Sequence, residues 1–303
     1  MLKLKNRVLI FLMGLSATLG GTKAYIDHLL RQELNTSIQA VANKVNVDYA
    51  DIRTSWLGSV ILKNLDLTFL NHDESLHIDT IYLQKAYQFY DLTQWPANIQ
   101  LSLKNLQYAI KNTRSSPPII VTSLGYAPYY LTAQELRSLG YLNLNTDIDI
   151  KVKTSSEKVS ITSMITAPAW GNFNVIIELN HLPPPQQWTT AALKSVQLID
   201  LKFSYQDNGF FNRVFTWLAQ RNKMTLANFK QTLITQLSKD LSSAPVGIGS
   251  NILNPLLQFI QDPRQLILSL QPDLPIVIGT LWQVPLKQLG LTITTHSLLS
   301  VDE

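Results

Sequence analysis

LNLNTDIDIKVK, residues 142–153, sorts its side chains by parity. Leu142, Leu144, Ile148, Ile150 and Val152 share one face with Thr146, while Asn143, Asn145, Asp147, Asp149, Lys151 and Lys153 take the other. Successive side chains of an extended chain point to opposite faces, whereas a helix of about 3.6 residues per turn would scatter the same residues around its axis. The stretch is therefore a strand with one apolar face. TSSEK at 154–158 reads as the turn that follows, and it leads into Val159, Ile161 and Ile165 opposite Lys158, Ser160 and Thr162. A third run at 172–180 places Phe173, Val175, Ile177 and Leu179 together, so the three runs predict an antiparallel meander with a single apolar face.

The same period continues outward in both directions. At 60–69, Ile61, Leu65, Leu67 and Phe69 oppose Asn64, Asp66 and Thr68. The tetrapeptide LKNL occurs at 62–65 and again at 103–106, which is compatible either with duplicated hairpins or with chance. HLPPPQQW at 181–188 interrupts the pattern, since consecutive prolines withhold ladder hydrogen bonds and favour polyproline II. Ile199, Leu201, Phe203 and Tyr205 then resume a strand that QDNG at 206–209 ends. Helical spacing follows at 210–219 and 225–241, with Thr225 as the expected N-cap, and Asn254-Pro255 is expected to open a third helix. Leu266, Leu268 and Leu270 return to strand period, and GLTITTH at 290–296 reads as the closing strand.

The beginning of the chain has a different character. Lys3, Lys5 and Arg7 precede 15 uncharged residues at 8–22, about 22 Å of helix against a hydrocarbon core of ~30 Å. Two readings stay open: a retained membrane anchor, with Lys23 snorkelling and Tyr25 at the interface, or a signal segment cleaved near Ala24. Either way the leading cations stay on the cytoplasmic side and send the rest across the membrane. Ile26, Leu30, Leu34, Ile38, Val41 and Val45 then form an apolar stripe at helical spacing. The expected organisation is a membrane anchor or signal at 1–25, an amphipathic connecting helix at 26–45, an antiparallel β domain at 46–182, and a mixed segment at 183–303 that completes or caps the sheet. The fold class is α+β, an N-terminal membrane helix followed by a largely antiparallel β-rich domain with a helical insertion near 210–262.

Chemistry is harder to find. No cysteine is present, which removes disulfides, thiolate metal sites and thiol catalysis. The 25 Lys and Arg against 21 Asp and Glu are scattered, without the basic face that nucleic acid requires. His28, His72, His77, His181 and His296 show no i,i+4 metal pattern. His77-x-Asp79 could begin a metal site and Asp147-x-Asp149 could hold a nucleotide-bound metal, yet each lies on a polar strand face that needs no ligand to explain it. GIGSN at 247–251 lacks the frame of either a nucleophile elbow or a phosphate loop. Glu33, Glu74, Glu135, Glu157 and Glu178 are isolated, and Trp56, Trp95, Trp170, Trp188, Trp217 and Trp282 are spaced as core and rim packing rather than as a stacking platform. The sequence thus predicts no catalytic constellation, no metal site and no cofactor, and the expectation is a non-enzyme.

With the segments assembled, VDYADIRTSWLGSVILKNLDL at 47–67 resembles the opening of AsmA-like bacterial envelope proteins, through Ser55, Leu57, Gly58, Val60, Leu62, Asn64 and Leu65. The segments 135–150, 201–215 and 262–276 are similar to single-anchor periplasmic proteins of the YdgA group. The resemblance implies a bacterial inner-membrane protein, single-pass, with its C-terminal domain in the periplasm, and a role in outer-membrane biogenesis. It also implies a sheet whose apolar face can hold lipid hydrocarbon. The candidate ligand-binding residues are then Ile148, Ile150, Val159 and Ile161, and the expected partners are the membrane, a phospholipid or fatty acid, and envelope proteins. Two other readings stand beside it: the same residues form an ordinary core under the helices at 210–241, and the protein is a structural or interaction subunit of an envelope assembly or secretion complex.

Overall fold

The computed structural model describes residues 2–70, 74–90, 95–111, 131–155, 157–184, 187–242, 249–285 and 287–295. His72, His296 and the first residues of GIGSN lie outside the described residues. The fold is α+β, built on one antiparallel sheet. Helix α1 (Leu2–Val41) leads into β1 (Val45–Thr54), β2 (Val60–Phe69), β3 (Glu74–Gln84) and β4 (Asn98–Ala109). A short helix, α2 (Ala133–Ser138), precedes β5 (Asn143–Thr154), β6 (Lys158–Ala167) and β7 (Gly171–Asn180). Then come α3 (Thr190–Lys194), β8 (Gln197–Asp207), α4 (Phe210–Arg221), α5 (Leu226–Ser242), α6 (Ser250–Gln261), β9 (Gln265–Leu270), β10 (Ile276–Val277) and β11 (Leu291–Thr295). The strands β1 to β9 stand side by side in chain order, β11 adds beyond β9, and β10 pairs with the start of β8. The sheet therefore runs through both halves of the expected division at 182.

The strand that decides the fold behaves as its parity requires: Ile148 pairs with Ile165, Ile150 with Ser163 and Val152 with Ile161. Three of the other strand and helix expectations are corrected by the course of the elements, and a fourth, the face of Ile61, by the repeated LKNL. First, β1 replaces the end of the connecting helix, whose stripe was expected to reach Val45. The alternation of β1 is masked by a change of parity, with Val45, Val47 and Tyr49 half-buried but Ile52 buried. Second, α6 opens at Ser250, so Pro255 sits inside it. The lost bond to the carbonyl four residues earlier is outweighed by an apolar stripe, Ile252, Leu256, Phe259 and Ile260, that begins ahead of the proline. Third, the membrane helix expected at 1–25 is not supported. Helix α1 covers these residues, but among the described residues no helix is long and apolar enough to cross a membrane.

From Lys23 onward, α1 lies along the edge strand β1. The Asp27 carboxylate accepts the Thr54 N–H and hydroxyl, both at 2.6 Å, and it pairs with Lys23 at 2.7 Å. Arg31 reaches Asp51 at 2.6 Å, and the Tyr49 hydroxyl donates to Asn35 at 2.9 Å. The Asp27 carboxyl is held below its ordinary value: burial opposes this, but bonds from Lys23 and Thr54 prevail. These contacts at residues 27, 31 and 35 meet β1 at 54, 51 and 49, so helix and strand are antiparallel. The helix thereby shields a row of strand-edge groups. Of the expected stripe, Leu30, Leu34 and Ile38 are half-buried, whereas Ile26 and Val41 are exposed.

The repeated LKNL is a structural repeat. It occupies β2 and β4, and in both copies the asparagine, Asn64 and Asn105, adopts a left-handed backbone with φ near 50°. Asparagine tolerates this conformation better than most residues. The consequence is that Leu62 and Leu65, and likewise Leu103 and Leu106, reach the same face although they are three positions apart, so Ile61, expected beside Leu65, Leu67 and Phe69, takes the other face. The pairing of β4 with β5 shifts register between Leu103 and Leu106, a β-bulge that absorbs the extra residue.

The main core is C-terminal. Val214, Phe215 and Leu218 of α4, Phe229 and Leu233 of α5, and Phe259 of α6 pack over Tyr205, Leu266 and Ile293. Thr225 Oγ1 accepts from the Asn228 N–H, as expected of the N-cap of α5. A smaller core, Leu179, Val196 and Leu198, closes the same sheet at the 181–196 connection.

Candidate functional site

Because directly opposed residues of an antiparallel sheet point to the same face, the register turns individual strands into transverse rows. One row runs Leu62, Ile81, Leu103, Ile148 and Ile165, and continues as Phe173, Tyr205 and Leu266. The next runs Val60, Leu83, Leu101 and Ile150, continuing as Ser163, Val175, Phe203 and Leu268. Over β7 to β9 Phe173, Tyr205, Leu266, Phe203 and Leu268 of these rows pack against the core under α4 to α6, with Tyr205 and Leu266 buried. Over β2 to β6 their aliphatic members are half-buried, and none of them belongs to either core cluster. At ~4.8 Å per strand, the half-buried part of the first row spans about 19 Å from β2 to β6.

The four candidate residues separate on this map. Ile148 and Ile150 sit in the half-buried part of the two rows. Val159 is 2% exposed opposite Leu179, and Ile161 packs against the Leu179, Val196 and Leu198 cluster, so these two belong to covered core. The row partners Leu62, Ile81, Leu83, Leu101 and Leu103 were not anticipated. The repeated LKNL was the signal for two of them, since each copy begins with a leucine of the row.

The opposite face carries a network of charges. His77 Nδ1 lies 2.7 Å from Asp66 and Nε2 2.8 Å from Asp79. Asn105 donates its side-chain amide to Asp79 at 2.7 Å and its backbone N–H to Asp147 at 2.8 Å. Lys104 spans Asp147 at 3.3 Å and Asp149 at 3.0 Å, and the Ser102 hydroxyl donates to Asp149. The Asp79 carboxyl is held below its usual value by Asn105 and then by His77, and that of Asp149 by Ser102 and then by Lys104. Lys104 is raised, chiefly by Asp149. Both pairs singled out in the sequence, His77-x-Asp79 and Asp147-x-Asp149, are thus engaged in cross-strand bonds. Among the described residues no group of three His, Asp or Glu side chains could hold a metal ion.

This network is pH-sensitive with a definite sign. Both His77 nitrogens face carboxylates and can donate together only in the imidazolium, so its pKa is raised, first by the hydrogen bond to Asp66. A raised histidine contributes stability that is full below its unfolded value of about 6.5 and is lost as pH rises through its folded value. Thermal unfolding compared between about pH 6 and pH 9 should show this loss in the parent chain, and His77→Gln should reduce it. An equal loss in the variant would assign the effect elsewhere.

The tryptophans divide as well. Trp170 stacks on Phe210 with centroids 4.5 Å apart, and Trp217 packs against the main core. Trp95 and Trp188 both donate to the Pro183 carbonyl, at 2.8 and 3.0 Å. Trp188, half exposed against Trp95, is rim packing, whereas Trp56 is 69% exposed, which the expectation of core and rim packing does not explain.

A protein-family model described as "Uncharacterized protein" matches residues 135–296, which is 162 of the 303 residues. The match begins in α2 and ends just past β11, so it takes in Ile148, Ile150 and the helical cap. No curated protein matches the chain.

Proposed function

We propose, from the premise that this chain belongs to the family described as uncharacterized protein, that its sheet holds the acyl chain of a phospholipid or fatty acid in the bacterial envelope. The observation that carries the reading is the pair of aliphatic rows across β2 to β6, half-buried and outside both core clusters, whereas over β7 to β9 all but Val175 of the same two rows pack against the main core. Hydrocarbon laid along them would withdraw apolar surface from water at both partners, worth about 0.8 kcal/mol per buried methylene. The resemblance to AsmA-like proteins supports a periplasmic position and a part in outer-membrane biogenesis, and it favours no catalytic step.

Native mass spectrometry of the full chain, followed by lipid extraction, tests this. A stoichiometric lipid mass is expected in the parent protein and is expected to be lost in Leu103→Asp combined with Ile150→Asp. Both substitutions place charge on half-buried positions, and circular dichroism checks that the sheet persists. A folded parent chain that carries no lipid, and acquires none from added fatty acid, would leave the interaction-subunit reading in its place.

A further inference from the structure

Among the described residues, the connections at one end of the sheet expose several large apolar side chains. That end is defined by Thr54, Gln84, Asn98, Thr154, Asn180 and Gln197, where strands β1, β3, β4, β5, β7 and β8 start or stop. Among the described residues, Trp56 (69% exposed), Leu57 (84%), Tyr87 (61%), Trp188 (50%) and Leu274 (77%) all lie in connections at this end. Trp56 and Tyr87 line one cavity, and water-facing aromatic side chains of this kind mark a surface that meets something amphipathic.

The course of α1 bears on the partner. Its Asp27 meets Thr54, at this end of β1, and the chain before it continues in the same helix past the end of the sheet. Those preceding residues are the uncharged run at 8–22, with Lys3, Lys5 and Arg7 beyond. Between helix and sheet, at the point where the run ends, Ile26, Leu30, Trp56, Val60 and Tyr87 line an apolar cavity of about 580 Å3. The turn is shaped for this place: Gly58 has φ of 75°, and a Cβ there would lie 2.6 Å from the Tyr87 ring. On the same end, Lys85, Lys151 and Lys153 line a second hollow of about 380 Å3, a cationic rim beside the aromatic one.

We propose that this end of the sheet docks on an anionic lipid bilayer, with Trp56, Leu57 and Tyr87 at the interface and the uncharged run of α1 entering the headgroup and acyl boundary. Aromatic side chains favour that depth, lysines near it attract anionic lipid, and an apolar helix too short to span holds better when a second contact shares the load. The proposal goes beyond the acyl-binding reading and does not depend on it. The two meet at Val60, which lines the cavity and heads one of the rows.

The absence of native cysteine makes the test clean. Leu57→Cys, and separately Leu70→Cys at the opposite end of the sheet, are labelled with an environment-sensitive fluorophore and mixed with vesicles of phosphatidylethanolamine and phosphatidylglycerol. The expected result is a blue-shifted, brighter emission at position 57 and no change at position 70. Trp56→Glu combined with Leu57→Glu, both on an exposed turn, should lower vesicle partitioning at least tenfold with the fold unchanged. Vesicle binding that leaves the label at 57 unaltered would overturn the docking face, as would a label that responds only to protein concentration, the signature of a second copy. A chain that carries lipid but fails this test loses the docking proposal alone, and one that docks but carries none loses the acyl-binding reading alone.

Discussion

Phe215→Ala is expected to destabilise the protein by about 3–5 kcal/mol, the cost of an aromatic side chain removed from a core that cannot fully collapse. Phe215 is 1% exposed and touches rings on two helices, with centroids 5.7 Å from Phe211 and 6.3 Å from Phe229. The Lys230 ammonium lies 5.5 Å from the same ring, and its burial there lowers its pKa. Against a total stability of roughly 5–15 kcal/mol for a native protein, the loss is a large share. Urea unfolding measures it directly, and a fall in melting temperature of roughly 10 °C should accompany it. A loss below about 1 kcal/mol would mean that α4 and α5 do not pack as described.

Asp207→Ala is expected to cost about 1–3 kcal/mol, because one carboxylate serves three groups at the junction of sheet and helices. It accepts the Gly209 N–H at 2.7 Å and the Phe211 N–H at 3.1 Å, at the start of α4, where Gly209 has φ of 85°. The Tyr205 hydroxyl lies 2.7 Å from the same carboxylate and 2.6 Å from the Trp170 carbonyl. Burial, first, and then Asp207 push the Tyr205 pKa upward, so the phenol stays a donor throughout the working range. Its one proton can serve only one acceptor, so the alanine variant leaves it bonded to Trp170. Asp207→Asn retains the acceptor and should recover part of the loss in the same unfolding measurement. Asn and Ala variants of equal stability would remove the cap from the account.

What the sequence discloses follows from how local each signal is. The strands at 142–153, 158–167 and 171–180 were legible because unbroken alternation is a property of one strand by itself. β1 was not, since its apolar parity changes between Tyr49 and Ile52, opposite the left-handed Asn64 of β2. The Asn-Pro at 254–255 carried a strong local helix-start signal, but the apolar face of α6 decided otherwise. Ile148 and Ile150 could be proposed from parity, whereas their separation from Val159 and Ile161 depends on where helices and connections fold back, which no period of two or 3.6 encodes. The exposure of Trp56 was equally out of reach, because composition and spacing describe a tryptophan without saying what stands beside it.

The succession of β1 to β9 in chain order has a bearing on how the protein comes into being. Each strand after the first finds its pairing partner in the strand laid down just before it, so no edge has to wait for a segment far downstream. A polypeptide threaded out from its N-terminus, whether by synthesis or by passage across a membrane, can therefore knit as it emerges, row upon row. The helices α4 to α6 arrive after seven of those pairings have been offered, and they roof the portion of sheet completed last. From β1 to β9, order of delivery and order across the sheet coincide.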